Sequence, residues 1–418
     1  MCATKRKSYA ISKWLVSRAY RLVEANAGAA GVDKESIELF AQDLENNLYK
    51  IWNRMSSGSY LPPPVRAVPI PKKSGGQRIL GVPTVADRVA QTVVKLVIEP
   101  TLEQVFLPDS YGYRPGKSAL DAVGVTRKRC WQYDWVLEFD IKGLFDNISH
   151  PLLMKAVRKH VQDKWVLLYI ERWLKAPMEL KDGTRLERDR GTPQGGVVSP
   201  VLANLFMHYC FDAWMQREYP ALLWCRYADD ALIHCRTLGE AEQLRLALQQ
   251  RLAECGLEMH PDKTKIVYCK DGRRKGKYPN TSFDFLGYTF RPRGVKTKKC
   301  KQVLVGFNPA VSTTALKEMR KRIKALKLRR STQTELGTIA ALLNPMLRGW
   351  MQYYGRYRPT DLNPLYHYVN QTLVKWARRK YKRLRGSQTQ AAAFIASMHE
   401  KMPKLFEHWH LTSYGART

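Results

Sequence analysis

The chain has 418 residues, of which 44% are hydrophobic, so it is long enough to form two or three packed domains with a sizeable core. Its formal net charge of +33 and its pI near 9.9 exceed what solubility requires, and they indicate a polyanionic partner. The charge is concentrated C-terminally, because residues 291–418 contain 27 Lys and Arg against 5 Asp and Glu. No apolar stretch of about eighteen uncharged residues and no N-terminal signal core occurs, which predicts a cytosolic or nucleoid protein without a membrane partner.

The eight cysteines form no Cys-x-x-Cys pair and have no accompanying run of histidines. This spacing argues against a structural zinc site. Several cysteines lie within apolar strand or helix patterns, where a thiol behaves as a small hydrophobic group. We therefore expect reduced cysteines in the core.

The N-terminal part of the chain is predicted to pass from helices to strands. Residues 1–60 have a helical pattern, and Val65–Ile70 is predicted to be a strand after a break rich in proline. Pro71–Leu80 is predicted to be a second strand pair around a Gly-Gly turn. This arrangement places Lys72 and Arg78 on one hairpin.

The next segments predict a mixed domain with a carboxylate at a corner. Asp87–Gln104 has a helical pattern, and residues 134–290 alternate strand and helix in the irregular order of an α+β domain. Apolar alternation predicts a strand that ends at Asp140. A helix is predicted to begin near Ser149, a good N-cap residue with a proline in the first turn. Asp140 therefore lies between a strand and a helix.

Two adjacent carboxylates occupy the tip of a predicted hairpin. Leu222–Tyr227 and Ala231–Cys235 have the pattern of short buried strands, and Ala228, Asp229 and Asp230 lie between them. Neighbouring anions at a crowded turn repel each other, and bound Mg²⁺ commonly compensates them near phosphate chemistry. A solvated surface turn, in which Asp is common, is the alternative.

The two acidic positions predict one site if their strands are neighbours. Asp140 and Asp229 would then converge on a pair of metal ions. Two such ions can hold the attacking and departing oxygens of an in-line phosphoryl displacement, which is the chemistry of nucleotide polymerisation.

After Phe290 the chain changes character. Residues 291–301 are predicted to be a connector, followed by helices over about 312–330, 333–357, 361–385 and 388–399. The charges on these helices have a single sign, whereas an ordinary solvated helix face mixes Glu with Lys. We therefore predict a nucleic-acid binding surface. Its candidate basic residues are Arg320, Lys321, Arg322, Arg329, Arg330, Arg348, Arg378, Arg379, Lys380, Lys382 and Arg383, interleaved with Trp350, Tyr353, Tyr354, Tyr357 and Trp376.

Six ordered segments resemble those of bacterial group II intron reverse transcriptases and maturases. They are Ile70–Arg78 with Gly81–Thr84, Ser110–Gly116, Asp140–Asp146, Gly191–Gly196, Tyr227–Asp230 and Phe285–Tyr288. The basic C-terminal helices, with Arg348-Gly349-Trp350 and Leu405–Trp409, resemble the maturase or thumb region of that family. The resemblance covers nearly the whole chain.

The resemblance implies an α+β right-hand polymerase fold. It consists of fingers and a palm with an antiparallel sheet, followed by an all-helical basic thumb. The implied domains are residues 1–60 as a helical extension of the fingers, 61–290 as fingers and palm, and 291–418 as the thumb or maturase domain.

The resemblance also implies a metal site. Asp140 and Asp229 would be the principal ligands of two Mg²⁺ ions, helped by the backbone carbonyl of Ile141 and supported by Asp230.

The remaining implied roles concern the nucleotide. Lys72 and Arg78 would grip its triphosphate, Arg bidentately and Lys as a point charge. Phe145 would exclude a 2′-hydroxyl, Gln194 would contact the nucleotide and the template, and Lys263 would act on the leaving pyrophosphate. Each role has an alternative. Lys72 and Arg78 could be incidental charges on an exposed hairpin, and Phe145 could be an ordinary core residue. Gln194 could belong to a turn needed for folding, and Lys263 could be a solvated surface lysine.

The resemblance gives the hairpin at Phe285–Tyr288 the role of primer grip, and burial in the core is the alternative. No Cys-rich endonuclease segment follows Cys300, so we expect the chain not to cut a second DNA strand. The primer for mobility would then come from elsewhere, for instance a nascent strand at a replication fork.

The implied function is RNA-directed DNA polymerisation, combined with binding of an intron RNA and assistance to its splicing and mobility. The implied partners are a group II intron RNA, an RNA template with a DNA primer, dNTPs and target DNA. Two alternatives are a splicing cofactor with a vestigial polymerase and a related reverse transcriptase that serves host defence or diversity generation.

Overall fold

The computed structural model describes residues 7–71, 76–296 and 303–411. The chain divides into two compact units. Unit 1 comprises Met1–Ala122 and Leu137–Ile266, and unit 2 comprises Val123–Val136 and Val267–Thr418. None of the described helices has both the length and the apolar character needed to cross a membrane.

Several helices of unit 1 begin at a residue whose side chain caps them, as Thr84 and Ser149 do. The helices of this unit are α1 (Lys13–Asn26), α2 (Ile37–Gln42), α3 (Leu44–Ser57), α4 (Val85–Glu103), α5 (Ala119–Cys130, which crosses into unit 2), α6 (Leu144–Asn147), α7 (His150–His160), α8 (Lys164–Lys175), α9 (Ser199–Met207), α10 (Ala213–Glu218) and α11 (Leu238–Glu254). A π-helical turn, His208–Asp212, joins α9 to α10. The predicted cap Ser149 accepts a hydrogen bond from the Leu152 N–H, which confirms the start of α7.

One sheet of unit 1 contains the predicted N-terminal hairpin. Its strand order is β2-β1-β4-β5, with β1 (Val65–Pro71), β2 (Gln77–Val82), β4 (Met178–Glu179) and β5 (Arg185–Leu186). β1 and β2 pair antiparallel, with Pro71 opposite Gln77. The prediction of a separate strand followed by a strand pair is wrong, because β1 is itself the first arm of the hairpin.

The second sheet positions the acidic residues. Its order is β6-β7-β3-β8, with β3 (Trp135–Phe139), β6 (Leu223–Tyr227), β7 (Asp230–Cys235) and β8 (Lys265–Tyr268). β3 and β8 extend across the chain positions that separate the units. Four of the five β3 residues are buried, which explains its nearly continuous apolar sequence.

Unit 2 starts with strands where a connector was expected. β10 (Tyr288–Lys296) lies between β9 (Phe283–Phe285) and β11 (Val303–Val311) and pairs with β11 along its whole length. The connector prediction for 291–301 is therefore wrong over residues 291–296, and the rest of that range lies outside the described residues. The pairing of β10 with β9 stops at Phe290. The part of β10 that contains Pro292 therefore pairs with β11 and lies at the edge of the sheet on its other side, where proline is tolerated.

The predicted C-terminal helices are confirmed; the first three are shorter than predicted, and the fourth extends two residues further. They are α12 (Thr313–Ala325), α13 (Leu336–Tyr354), α14 (Asn363–Lys380) and α15 (Gln388–Lys401). Their apolar faces form a core that includes Ile339, Leu343, Leu347, Leu373 and Trp376. In the described part of the chain, six cysteines are buried as thiols, as expected for reduced core residues.

Candidate active site

The predicted hairpin with two carboxylates at its tip is present in unit 1. β6 and β7 pair antiparallel with Tyr227 opposite Asp230, so Ala228 and Asp229 form a two-residue turn. Ala228 has a φ of 58°, in the left-handed region that such turns require. Asp229 is half-buried and Asp230 is exposed. The hairpin prediction is confirmed.

A buried arginine supports this turn. The fully buried Arg226 of β6 forms a bidentate pair with the equally buried Asp212, with Nε to Oδ1 at 2.7 Å and Nη2 to Oδ2 at 2.6 Å. Its other bonds reach the Asn204 amide oxygen at 3.0 Å, the Ser110 hydroxyl at 2.9 Å and the Ala228 carbonyl at 3.0 Å. A buried guanidinium is tolerated when it is paired and hydrogen-bonded, and here one bond fixes the backbone of the turn.

Sequence reasoning missed this network. The signal was an arginine inside an apolar strand, because a charged side chain is almost never fully buried without a partner. Its partner, Asp212, is distant along the chain, so the sequence did not identify it.

The segment that carries Gly112 packs against the same turn. The Tyr111 N–H donates to the Arg226 carbonyl at 2.8 Å, and the Arg226 N–H donates to the Asp109 carbonyl at 3.0 Å. A Cβ at Gly112 would lie 2.4 Å from the Ala228 nitrogen, so this approach requires glycine.

Asp140 directly follows β3, the neighbour of β7 in the sheet. Its Oδ2 accepts a hydrogen bond from the Lys263 ammonium at 2.8 Å, and its backbone carbonyl accepts one from the His260 N–H at 2.8 Å. Ile141 follows directly and forms an antiparallel bridge with Met259, so its backbone is held in place beside Asp140.

The three aspartates affect one another electrostatically. Burial raises the pKa of Asp229, and repulsion from Asp140 adds to this, while Arg78 and Lys263 act in the opposite direction. Crowding by surrounding protein raises the pKa of Asp230 to about 7, with further contributions from Asp229 and Asp140, although Asp230 faces solvent on one side. The structure thus places Asp140, Asp229, Asp230 and Lys263 within electrostatic range of one another.

Within the described residues, no three His, Cys, Asp or Glu side chains lie close enough together to form a metal-binding group. The Asp140 carboxylate is instead held by Lys263. The donors nevertheless suit Mg²⁺, because they are carboxylate and carbonyl oxygens. The raised pKa values of Asp229 and Asp230 mark negative charge that a cation would compensate.

One of the two predicted triphosphate ligands lies in the described part of the chain. Arg78 is exposed on β2, and its charge acts on Asp229. Lys72 lies outside the described residues.

Phe145 and Gln194 lie on segments that are bonded together. Phe145 is half-buried in α6, so it is not a fully buried core residue, and its carbonyl accepts the Thr192 N–H at 2.7 Å. Gln194 is half-buried, and its carbonyl accepts the Gly81 N–H at 2.8 Å. A Cβ at Gly195 would lie 2.6 Å from the Gly81 oxygen. The glycine-rich loop thus packs against both α6 and β2.

The predicted primer-grip hairpin is a second two-residue turn, in unit 2. Phe285 and Tyr288 pair across β9 and β10, and Leu286 and Gly287 between them have φ values of 51° and 80°. Phe285 and Tyr288 are buried, as the core alternative expected. The two turn residues, Leu286 and Gly287, are half-buried.

Aromatic residues of unit 2 support this turn. The Tyr353 hydroxyl donates to the Leu286 carbonyl at 2.9 Å, and the Tyr354 hydroxyl lies 2.7 Å from where a Cβ of Gly287 would stand. Trp376 is fully buried in the core. The expectation of a mixed surface of arginines and aromatics is therefore wrong for Trp376, because its ring packs among the helices.

The candidate RNA-binding residues differ in exposure. Lys321, Arg322, Arg330, Arg348, Arg379, Lys382 and Arg383 are exposed, and Arg320, Arg329, Arg378 and Lys380 are half-buried. Some also bond the protein itself, as when Lys380 donates to the Thr334 carbonyl at 3.0 Å and Arg348 pairs with Glu407. These cations thus support unit 2 as well as contributing positive charge to its surface.

Comparisons with known proteins agree with these features. Residues 70–290 match the family described as reverse transcriptase (RNA-dependent DNA polymerase), and residues 316–393 match the group II intron maturase-specific domain. The chain belongs to the group II intron reverse transcriptase and maturase family. The family resemblance and the α+β polymerase fold class predicted from the motifs are confirmed, whereas the prediction that residues 291–418 are all helical is wrong, because β11 and most of β10 lie in that range.

Relatives of this group II intron reverse transcriptase and maturase differ in length. The chain is 32% identical to Protein YkfC of Escherichia coli strain K12 over 321 residues, which cover 66% of this chain and 80% of that protein. It is 35% identical over 193 residues to the group II intron-encoded protein LtrA of Lactococcus lactis subsp. cremoris, covering 46% of this chain and 32% of LtrA. A solved structure of telomerase from Candida albicans aligns over 90% of this chain and 69% of that chain, with a TM-score of 0.47 and 15% identity.

Proposed function

We propose that this reverse transcriptase and maturase copies RNA into DNA, binds a group II intron RNA and assists the splicing and mobility of that RNA. The observation that supports it best is the group formed by Asp140, Asp229, Asp230 and Lys263 at the end of a palm sheet. Its substrates would be dNTPs and a DNA primer on an RNA template. Its further partners would be the intron RNA and target DNA, and its location would be the bacterial cytosol. Residues 1–60, 61–290 and 291–418 would be the extension, the fingers and palm, and the thumb.

Two Mg²⁺ ions are the proposed cofactors. Asp140, Asp229 and the Ile141 carbonyl would hold them, with Asp230 in support. When bound, these ions would supply the positive charge that activates the primer 3′-hydroxyl and stabilises the departing pyrophosphate.

Lys263 is the proposed general acid, or charge-neutralising group, for the leaving pyrophosphate. Its ammonium is half-exposed and lies 2.8 Å from the Asp140 carboxylate, so a cation is held beside the reacting centre before substrate arrives. A lysine in this position can neutralise or protonate the leaving pyrophosphate.

The nucleotide would be positioned from two sides. Lys72 and Arg78 would hold its triphosphate, Phe145 would exclude a 2′-hydroxyl from its sugar, and Gln194 would contact it together with the template. The half-buried state of Phe145 and Gln194 leaves part of each side chain free for such contacts.

The basic surface of unit 2 would hold the intron RNA. The exposed candidate residues on α12, α13 and α14 are positively charged, which favours binding to RNA phosphates. The affinity for RNA should fall steeply as the salt concentration rises. RNA is recognised largely through backbone and shape, which suits a broad charged surface.

The proposal is tested by measuring both primer extension and RNA binding on the same variants. Asp229→Asn should reduce extension on an RNA template by at least about 1000-fold, because a group acting directly on the reaction is lost. Its affinity for the intron RNA should stay within about twofold of the parent protein. Asp182→Asn, at an exposed turn of unit 1, is the matched control and should retain full activity.

An equal loss of extension and RNA binding in Asp229→Asn would mean that Asp229 is needed for folding. Wild-type protein that promotes splicing of the intron RNA but does not extend a primer with Mg²⁺ would support the splicing cofactor instead.

A further inference from the structure

Tyr113 has an unfavourable backbone conformation. Its φ is 57°, in the left-handed region, which costs a side-chain-bearing residue energy that glycine does not lose. Its side chain is 52% exposed, so burial offsets little of this cost. Strained residues that gain little from packing are concentrated at functional sites.

The residues on either side hold Tyr113 in place. Gly112 packs against the Ala228 nitrogen of the catalytic turn. Arg114 pairs with Glu103 and donates to the carbonyls of Leu107 at 2.6 Å and Ser110 at 2.8 Å. The direction of the Tyr113 side chain is therefore set by a rigid loop attached to the turn.

The phenol of Tyr113 interacts electrostatically with charged groups of the proposed polymerase site. Burial raises its pKa, the carboxylate of Asp229 raises it further, and the guanidinium of Arg78 lowers it. The ring thus lies within electrostatic range of the aspartate proposed to bind metal and of the arginine proposed to hold the triphosphate. The nucleotide would have to occupy the space between these two groups.

We propose that the ring of Tyr113 forms one wall of the nucleotide site, against which the incoming dNTP packs. This inference rests on the proposed function. An aromatic face tolerates every base, because each base has a π surface, and the loss of one such contact weakens binding by about tenfold. Tyr113 is therefore a binding residue rather than a group that takes part in the chemistry.

Two variants separate the ring from the backbone. Tyr113→Gly removes the ring and relieves the left-handed backbone, whereas Tyr113→Phe retains the ring. Single-nucleotide incorporation on an RNA template should show about a tenfold higher KM for dNTP in Tyr113→Gly, with kcat within about threefold. Tyr113→Phe should stay within about twofold of the parent in both constants.

A direct binding measurement makes the test independent of catalysis. The dNTP affinity of the protein bound to an RNA template with a dideoxy-terminated primer should fall in Tyr113→Gly, while its affinity for the template and primer stays unchanged. Its thermal unfolding midpoint should equal or exceed that of the parent, because the strain is gone.

An unchanged dNTP affinity in Tyr113→Gly would overturn the proposal, as would a loss confined to template and primer binding. A lower unfolding midpoint with a parallel loss in kcat would show a structural role instead. If the wild-type protein binds dNTP but does not extend a primer, the proposed function fails while the binding comparison still decides the role of Tyr113.

Discussion

Two hairpin turns of the molecule share a local form but differ in what supports them. The turn at Ala228 and Asp229 rests on the buried pair of Arg226 and Asp212. The turn at Leu286 and Gly287 is supported by tyrosine side chains of α13. Both have a left-handed residue, so backbone conformation alone does not distinguish them.

The difference teaches how a charged tip is held. The first turn carries carboxylates that repel one another, and a guanidinium with several bonds fixes its backbone against that repulsion. The second turn carries no charged side chain, so one hydroxyl bond and ring packing are sufficient. The turn with the greater charge repulsion is thus held by the more extensive hydrogen bonding. This contrast leads to three predictions.

Removing the buried cation should have the largest effect. Arg226→Met leaves the Asp212 carboxylate buried without its partner, and we expect the free energy of unfolding to fall by about 3–5 kcal/mol. Polymerase activity should fall with it, because the Ala228 carbonyl loses its donor. Thermal and denaturant unfolding measure the loss.

Two further variants serve as controls for the Arg226→Met result. Arg217→Met, in the exposed pair with Glu218, should cost less than about 0.5 kcal/mol. Arg226→Met combined with Asp212→Leu should recover part of the stability but not the activity. Full recovery of activity would show that the pair does not position the turn.

Removing the hydroxyl at the second turn should have a smaller effect. Tyr353→Phe deletes the bond to the Leu286 carbonyl at 2.9 Å, and we expect a loss of about 1 kcal/mol. Tyr278→Phe, at an exposed tyrosine of the same unit, is the control. A loss as large as that of Arg226→Met would contradict the contrast between the two turns.

The smallest effect should be a gain in stability at the charged tip. The pKa of Asp230 is about 7 in the folded protein and about 4 when unfolded, so the folded state loses stability as pH rises from 4 to 7. Without divalent metal, Asp230→Asn should therefore raise the unfolding midpoint by about 2 °C at pH 8 and leave it unchanged at pH 4. An equal shift at both pH values would exclude charge repulsion as the cause.

Local sequence determined a large part of the architecture. Apolar alternation located β3, two short apolar runs on either side of the aspartate pair located β6 and β7, and Ser149 marked the start of α7. The hairpin with Asp229 at its tip and the strand ending at Asp140 followed from the same patterns, because burial of one face and turn chemistry are local properties. The connector prediction failed because Pro292 and Gly294 suggested a break, whereas pairing with β11, the next strand along the chain, keeps residues 291–296 extended.

What the sequence determined by itself is therefore the identity of the elements, the acidic residues at two of their ends and the basic character of unit 2. Tertiary structure alone decided that Lys263 pairs with Asp140, that Arg226 joins Asp212 to the turn at Ala228 and Asp229, and that Gly112, beside Tyr113, packs against that turn. These contacts join residues far apart in the chain. They depend on strand order and close packing, which no local pattern of residue types specifies.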